Sequence, residues 1–152
     1  MSLKATINED MKAAMRARDA ARLSTVRLLL AAIKQREIDE RIELDDGQIH
    51  GVVERLIKQR RDAIEQFGRA GRQDLVAKEE AEVVVLLGYL PAQAAPEEIA
   101  DAITAAIVSV GAQSMRDMGR VMGVLKGKLA GRADMAAVST QVAAQLKERS
   151  GA

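Results

Sequence analysis

Residue types that ordinarily do chemistry are thinly spread along this chain. The single histidine, His50, lies between Ile49 and Gly51. No second histidine and no serine–acid arrangement accompanies it to make a general base or a metal ligand, so a surface or capping position is expected. Acidic residues cluster over Glu37–Asp46 and at Glu79, Glu80 and Glu82. Paired carboxylates can bind Mg²⁺ or move protons, but Arg36, Arg41 and Lys78 are interleaved with these, as on solvated helix faces. The run Gly123-Val124-Leu125-Lys126-Gly127-Lys128 is one residue short of a P-loop. It places Leu129 where Ser or Thr should follow the lysine, and no strand precedes it, which argues against nucleotide hydrolysis. The chain has no cysteine, which removes thiol catalysis, thiolate zinc sites and iron–sulfur clusters, and fits a reducing compartment. No catalytic residue, metal or cofactor is expected.

Charge is more informative in its distribution than in its total of +1. Residues 1–90 carry sixteen Lys/Arg against sixteen Asp/Glu, whereas Arg116–Asp134 carries five basic residues against two acidic. Arg116, Arg120, Lys126, Lys128 and Arg132 therefore form the leading candidate surface for an anionic partner, and Arg55, Lys58, Arg60 and Arg61 a second basic patch. Gly119, Gly123, Gly127 and Gly131 recur every fourth residue, and each interior helix glycine costs about 1 kcal/mol relative to alanine. The expected compensations are close helix packing at Gly119 and Gly123, helix termination at Gly127 and a turn at Gly131. A loop over 127–134 bearing Lys126, Lys128 and Arg132 just before a helix N-terminus would suit phosphate contact.

These residues must be positioned by helices. Tyr89 and Phe67 are the only aromatics, alternating patterns are absent, and Leu, Ile, Val, Ala and Met recur at helical spacing. The expected fold is all-α: an N-terminal helical domain of about four helices over 1–90, a linker over 91–95 containing Pro91, and a small C-terminal three-helix domain over 96–152. Ser2, Asp19, Asp45–Gly47, Ser114 and Asp134 are the predicted caps. Helices are expected to about Arg18, about Ile42, near Gly68–Gly71, near Gly88 and near Val110–Gly111. The second is read with Leu23, Val26, Leu30 and Ile33 as its one apolar stripe. The third is read with Arg60 on or near its apolar stripe, paired with an acid inside the bundle or lying in a partner's groove. The N-terminus lacks a signal-peptide core and no apolar run is long enough for a membrane span, so a cytoplasmic, bacterial-type protein with no membrane association is expected.

Several segments resemble a known family. Arg27-Leu28-Leu29, Ile57-Lys58-Gln59-Arg60-Arg61, Arg72-Gln73-Asp74-Leu75, Glu79 with Glu82, and Tyr89-Leu90-Pro91 follow the order of the YqeY-like family. The stretch Ser114–Gly123, with Met118, Gly119, Met122 and Gly123, and the turn Gly131-Arg132-Ala133-Asp134 resemble the tail domain of the GatB/YqeY grouping, which YqeY-like proteins share with the GatB component of glutamine-dependent tRNA amidotransferases. Met135 departs from the pattern, where relatives often have glycine. The resemblance implies a tRNA-facing module without the amidotransferase's catalytic domain, even where the family label is carbon–nitrogen ligase with glutamine as amido donor. The expected partner is tRNA, bound by shape and backbone because aromatic stacking surface is lacking. The alternative is a helical adaptor docking on an amidotransferase or synthetase component; DNA is not an expected partner.

Overall fold

The computed structural model describes residues Met1–Gly151, all of whose regular structure is helical. Seven α-helices follow one another: α1 (Leu3–Arg16), α2 (Ala20–Glu40), α3 (Asp46–Arg69), α4 (Gln73–Leu87), α5 (Pro96–Val110), α6 (Met118–Leu129) and α7 (Met135–Gly151), with a 3₁₀ turn at Met115–Asp117 leading into α6. The fold is all-α, and the chain divides into two compact units, the first Met1–Leu90 and the second from Pro91 onward.

Capping residues set most boundaries. Ser2, Asp19 and Asp45 each accept a backbone N–H from the first turn of the helix that follows, and Asp45 forms a reciprocal capping box with Gln48. This supplies acceptors for amides that have no partner within the helix. Ser114 and Asp117 cap the 3₁₀ turn in the same reciprocal way. Two helices end earlier than predicted, α1 at Arg16 and α2 at Glu40, because Arg18 and Arg41 take left-handed backbone conformations there.

In the first unit, Ile7, Val26, Leu29, Ile33, Ile49, Val53 and Leu86 are fully or almost fully buried in one aliphatic core. Helices α3 and α4 form the most extensive pair, and α2 packs on α1, α3 and α4. Polar links fasten the periphery. Lys4 Nζ donates to both Glu37 oxygens (2.8 and 2.9 Å), and the Leu44 amide donates to Glu37 Oε2 at 2.9 Å. The Lys4 contact, then the Leu44 N–H, hold the Glu37 carboxyl below its ordinary range. Asp39 accepts from Gln35, Glu40 from Arg36 and Asp46 from the Leu3 amide, so most of the 37–46 acidic run is engaged in internal bonds. Arg72 grips both oxygens of Asp74 at the start of α4. Near the end of this unit, Tyr89 donates its hydroxyl to Asp10 at 2.7 Å. Burial, reinforced by that carboxylate, pushes the phenol above its ordinary range.

Arg60 belongs to this architecture. It is 8% exposed, and it donates to Glu82 Oε2 at 3.0 Å and to the Leu56 carbonyl at 3.1 Å. Removing one partner of a buried pair strands the other's charge, whereas replacing both with apolar groups is far cheaper. Glu82→Ala is expected to destabilise the chain by about 3 kcal/mol, and Arg60→Met/Glu82→Leu by much less. Urea unfolding of the three proteins measures the difference, and equal losses in single and double variants would contradict it.

Candidate functional site

The second unit is built on Ile103, Ala106, Ile107, Val121, Leu125, Leu129, Val142 and Leu146. Val121, Leu125 and Leu129 are the buried face of α6; Met118 and Met122 pack against this core from partly buried positions, and so does Met135 at the start of α7. Its five candidate cations are divided between side chains held in ion pairs and side chains open to solvent. Lys126 and Lys128 are two residues apart on α6, about 200° around the helix, and both are exposed, as is Arg116. Arg120 donates to Asp117 at 2.6 Å. Asp117 also accepts from the Gln113 and Ser114 amides (2.9 and 3.3 Å). The Gln113 amide, then Arg120, bring its carboxyl down to about 2.

Arg132 is a clasp. Its Nε donates to the Ala92 carbonyl at 3.0 Å and its terminal nitrogen to Glu98 at 2.6 Å, while its own carbonyl accepts from the Ala94 amide at 2.8 Å. Gln93 donates to the Gly131 carbonyl at 2.9 Å. The Gly131-Arg132-Ala133-Asp134 turn thus holds residues 92–94 and leads into α7, where Asp134 Oδ1 accepts from the Ala136 amide at 3.0 Å. Gly131 has φ +74°, the left-handed conformation that a turn here requires.

The other glycines correct the expectation from spacing. Helix α6 runs through Gly127 to Leu129, so Gly127 terminates nothing and the expected 127–134 loop shrinks to the turn after Leu129. A Cβ added at Gly119, Gly123 or Gly127 would meet nothing within 4 Å, so no neighbouring helix requires the bare backbone. The second basic patch is divided as well. Arg60 is buried against Glu82, Lys58 and Arg61 are exposed, and Arg55 lines a groove between α2 and α3.

That groove, of about 470 Å³, has Ala32, Val52 and Leu56 among its apolar lining and Gln35, Arg36, Asp39, Glu40, Arg55 and Gln59 among its polar lining. Beside it runs a surface missed by reading α2 as one apolar stripe with charges elsewhere. The buried face is Thr25, Val26, Leu29 and Ile33. Leu28 (42% exposed), Ile38 (61%) and Ile42 (41%) lie on another side. Ile42 lies just past the left-handed Arg41 that ends the helix, and within α2 Leu28, Ala31, Gln35 and Ile38 follow a 28, 31, 35, 38 spacing. That is the 3.5-residue period of a seam between paired helices. Along one edge of this seam stand Arg27 and Lys34, seven residues apart, with Arg41 following at the left-handed C-cap, and among the described residues none of the three is in an ion pair. The clue in the sequence was that α2 has more aliphatic positions than one buried stripe can use. His50 is half-buried in the second turn of α3, and among the described residues no three His, Cys, Asp or Glu side chains converge.

An all-helical chain that joins the Arg60–Glu82 pair and the Gly131–Asp134 clasp to these two aliphatic cores belongs to the YqeY-like family, whose pattern matches residues 4–146. Its curated relatives include fungal proteins named "Altered inheritance of mitochondria protein 41, mitochondrial". The one from Lachancea thermotolerans is 42% identical over 87 residues, 57% of this chain and 46% of the relative. The one from Eremothecium gossypii is 41% identical over 99 residues, 63% and 54%. That from Pyrenophora tritici-repentis is 31% identical over 130 residues, 84% and 71%. The chain spans about half the length of the first two.

These relatives overturn the expectation of a bacterial, cytoplasmic, tRNA-binding module related to tRNA amidation, and with it the adaptor for that machinery. Their shared name places them in mitochondria and mentions neither tRNA nor amide transfer. The expectation rested on a tail shared with one component of an amidotransferase, and a shared fold module does not carry its host's activity.

Gly119→Ala, Gly123→Ala and Gly127→Ala should each stabilise the chain by about 0.5–1 kcal/mol, and Gly131→Ala should destabilise it by about 1 kcal/mol or more; thermal unfolding of the four variants tests the opposite signs. Asp117 is depressed in the folded state from an ordinary 3.8 to about 2. The stability it contributes is therefore complete above its ordinary value and is lost as pH falls through about 2. Carboxyl-carbon NMR titration should place its midpoint there, and Asp117→Asn should flatten the acid-unfolding slope in that window; a midpoint near 4 would refute the assignment.

Proposed function

We propose that this protein is a helical docking module that acts by holding a partner, with no reaction of its own. One observation carries the reading: α2 buries Thr25, Val26, Leu29 and Ile33 in the first unit and still presents Leu28 and Ile38 to solvent on another side, with exposed Ile42 just past its C-cap. Single exposed aliphatics need no explanation, but Leu28 and Ile38 at seam spacing, followed by exposed Ile42, mark an interaction surface.

Capture from nuclease-treated lysate of the native host tests the reading. Immobilised wild-type chain and a Val84→Asp control, altered at an exposed aliphatic on α4, should retain the same protein partner, and Leu28→Asp/Ile38→Asp should lose it. Exposed substitutions of this kind shift stability by only about 0.5 kcal/mol each, so thermal midpoints should stay close. Retention by the α2 double variant, or equal loss in the α4 control, would overturn the proposal.

A further inference from the structure

The charge arrangement around the α2 seam identifies the chemistry of its occupant. Resting on the docking reading above, we propose that α2 receives a single amphipathic helix of another protein, with acidic residues at seven-residue spacing lying over Arg27, Lys34 and Arg41.

The geometry supports a helix. Within α2 the seam runs from Leu28 to Ile38, about 15 Å at 1.5 Å per residue and close to three turns, and Ile42 follows just past the C-cap. Its 3.5-residue period keeps a second helix in register along the whole line, as in coiled-coil packing. Ala31, the small side chain in the series, gives that helix a place to approach closely, and Gln35 offers a polar contact midway.

Charge selects the sign of the partner. Among the described residues Arg27 and Lys34 on one edge, Arg41 at the C-cap and Arg55 across the α2–α3 groove are all without an ion-pair partner. Against these four, Glu40 is matched by Arg36, while Asp39 accepts only from the neutral Gln35 and Glu43 is in no ion pair among the described residues, which leaves the cations in excess. Arg41 also occupies a left-handed position, φ 55°, where glycine or asparagine costs less. The surface thus carries unmatched positive charge, which acidic residues on a docked helix would neutralise.

Two other occupants fit less well. In an antiparallel pairing with a second copy, Arg27 would face Arg41 and Lys34 would face Lys34, a like-charge arrangement. A parallel pairing would satisfy Lys34 through Asp39 and set Arg27 against Ala32. An anionic bilayer would be drawn to the cations but would meet Asp39 on the same face, and no aromatic side chain is present there to anchor in the interface.

The test uses the full chain and two synthetic helices of 21 residues, both with Leu at the seam positions, one with Glu and the other with Lys at the flanking positions. Fluorescence anisotropy should show binding of the Glu helix, weakened by 0.5 M salt, and at least tenfold weaker binding of the Lys helix. Arg27→Glu/Lys34→Glu/Arg41→Glu should reverse the preference, the milder Arg27→Gln/Lys34→Gln/Arg41→Gln should reduce it, and Leu28→Asp/Ile38→Asp should abolish binding of both helices; circular dichroism confirms that each variant is folded. The inference is overturned if the Glu helix does not bind, if both helices bind equally, or if charge reversal leaves the preference unchanged. It is equally overturned if sedimentation shows a dimer that Leu28→Asp/Ile38→Asp dissolves, or if phosphatidylglycerol vesicles bind the chain through the same cations. Failure with these helices, alongside lysate capture that still depends on Leu28 and Ile38, would reject the acidic helix and leave the docking reading standing.

Discussion

Helix α2 has α1, α3 and α4 against it, and a helix with three neighbours must carry apolar side chains over much of its circumference. Much of the first unit follows from that constraint. With almost no aromatic volume available, the helices close on one another through Leu, Ile and Val, so the packing consists of many small interdigitating contacts in place of a few large anchors. Lys4 reaches Glu37 near the end of α2, and the Leu44 amide reaches the same carboxylate from the loop beyond it. Tyr89, just past α4, donates to Asp10 in the middle of α1. These polar links hold the periphery of a core whose own contacts are non-directional.

Much of this was legible in the residues because local rules and the global fold agree. Ser2, Asp19, Asp45 and Ser114 cap where a short polar side chain precedes an apolar period, and Pro96 starts α5 where its missing N–H costs nothing. Legibility failed where one pattern admits two environments. Glycine every fourth residue marks either tight packing or open solvent, and spacing does not separate them; in α6 it is open solvent. Aliphatics on several sides of α2 mark either a deeply buried helix or one with a vacant seam, and only the positions of α1, α3 and α4 decide.

The candidate cations show the same limit in electrostatic terms. A count of Lys and Arg over 116–134 is a statement about net charge, whereas affinity for an anion depends on cations that are free and close together. Arg120 and Arg132 are spent on Asp117 and Glu98, and Lys126 and Lys128 diverge around α6. Around α2 the reverse holds. Its overall charge is ordinary because acidic residues lie near by, but Glu37 and Glu40 are engaged in local ion pairs, whereas among the described residues Arg27, Lys34 and Arg41 are not.

The solvent-facing glycines of α6 have a consequence for motion. Each leaves the backbone more conformational freedom to regain on opening and shields the helix hydrogen bonds less from water. With Gly119, Gly123 and Gly127 inside twelve residues, α6 is a soft spring held straight mainly by Val121, Leu125 and Leu129 on its inner face. Local fraying in the second unit therefore begins from its solvent side, so that amide protons near the glycines exchange before the core they cover is disturbed.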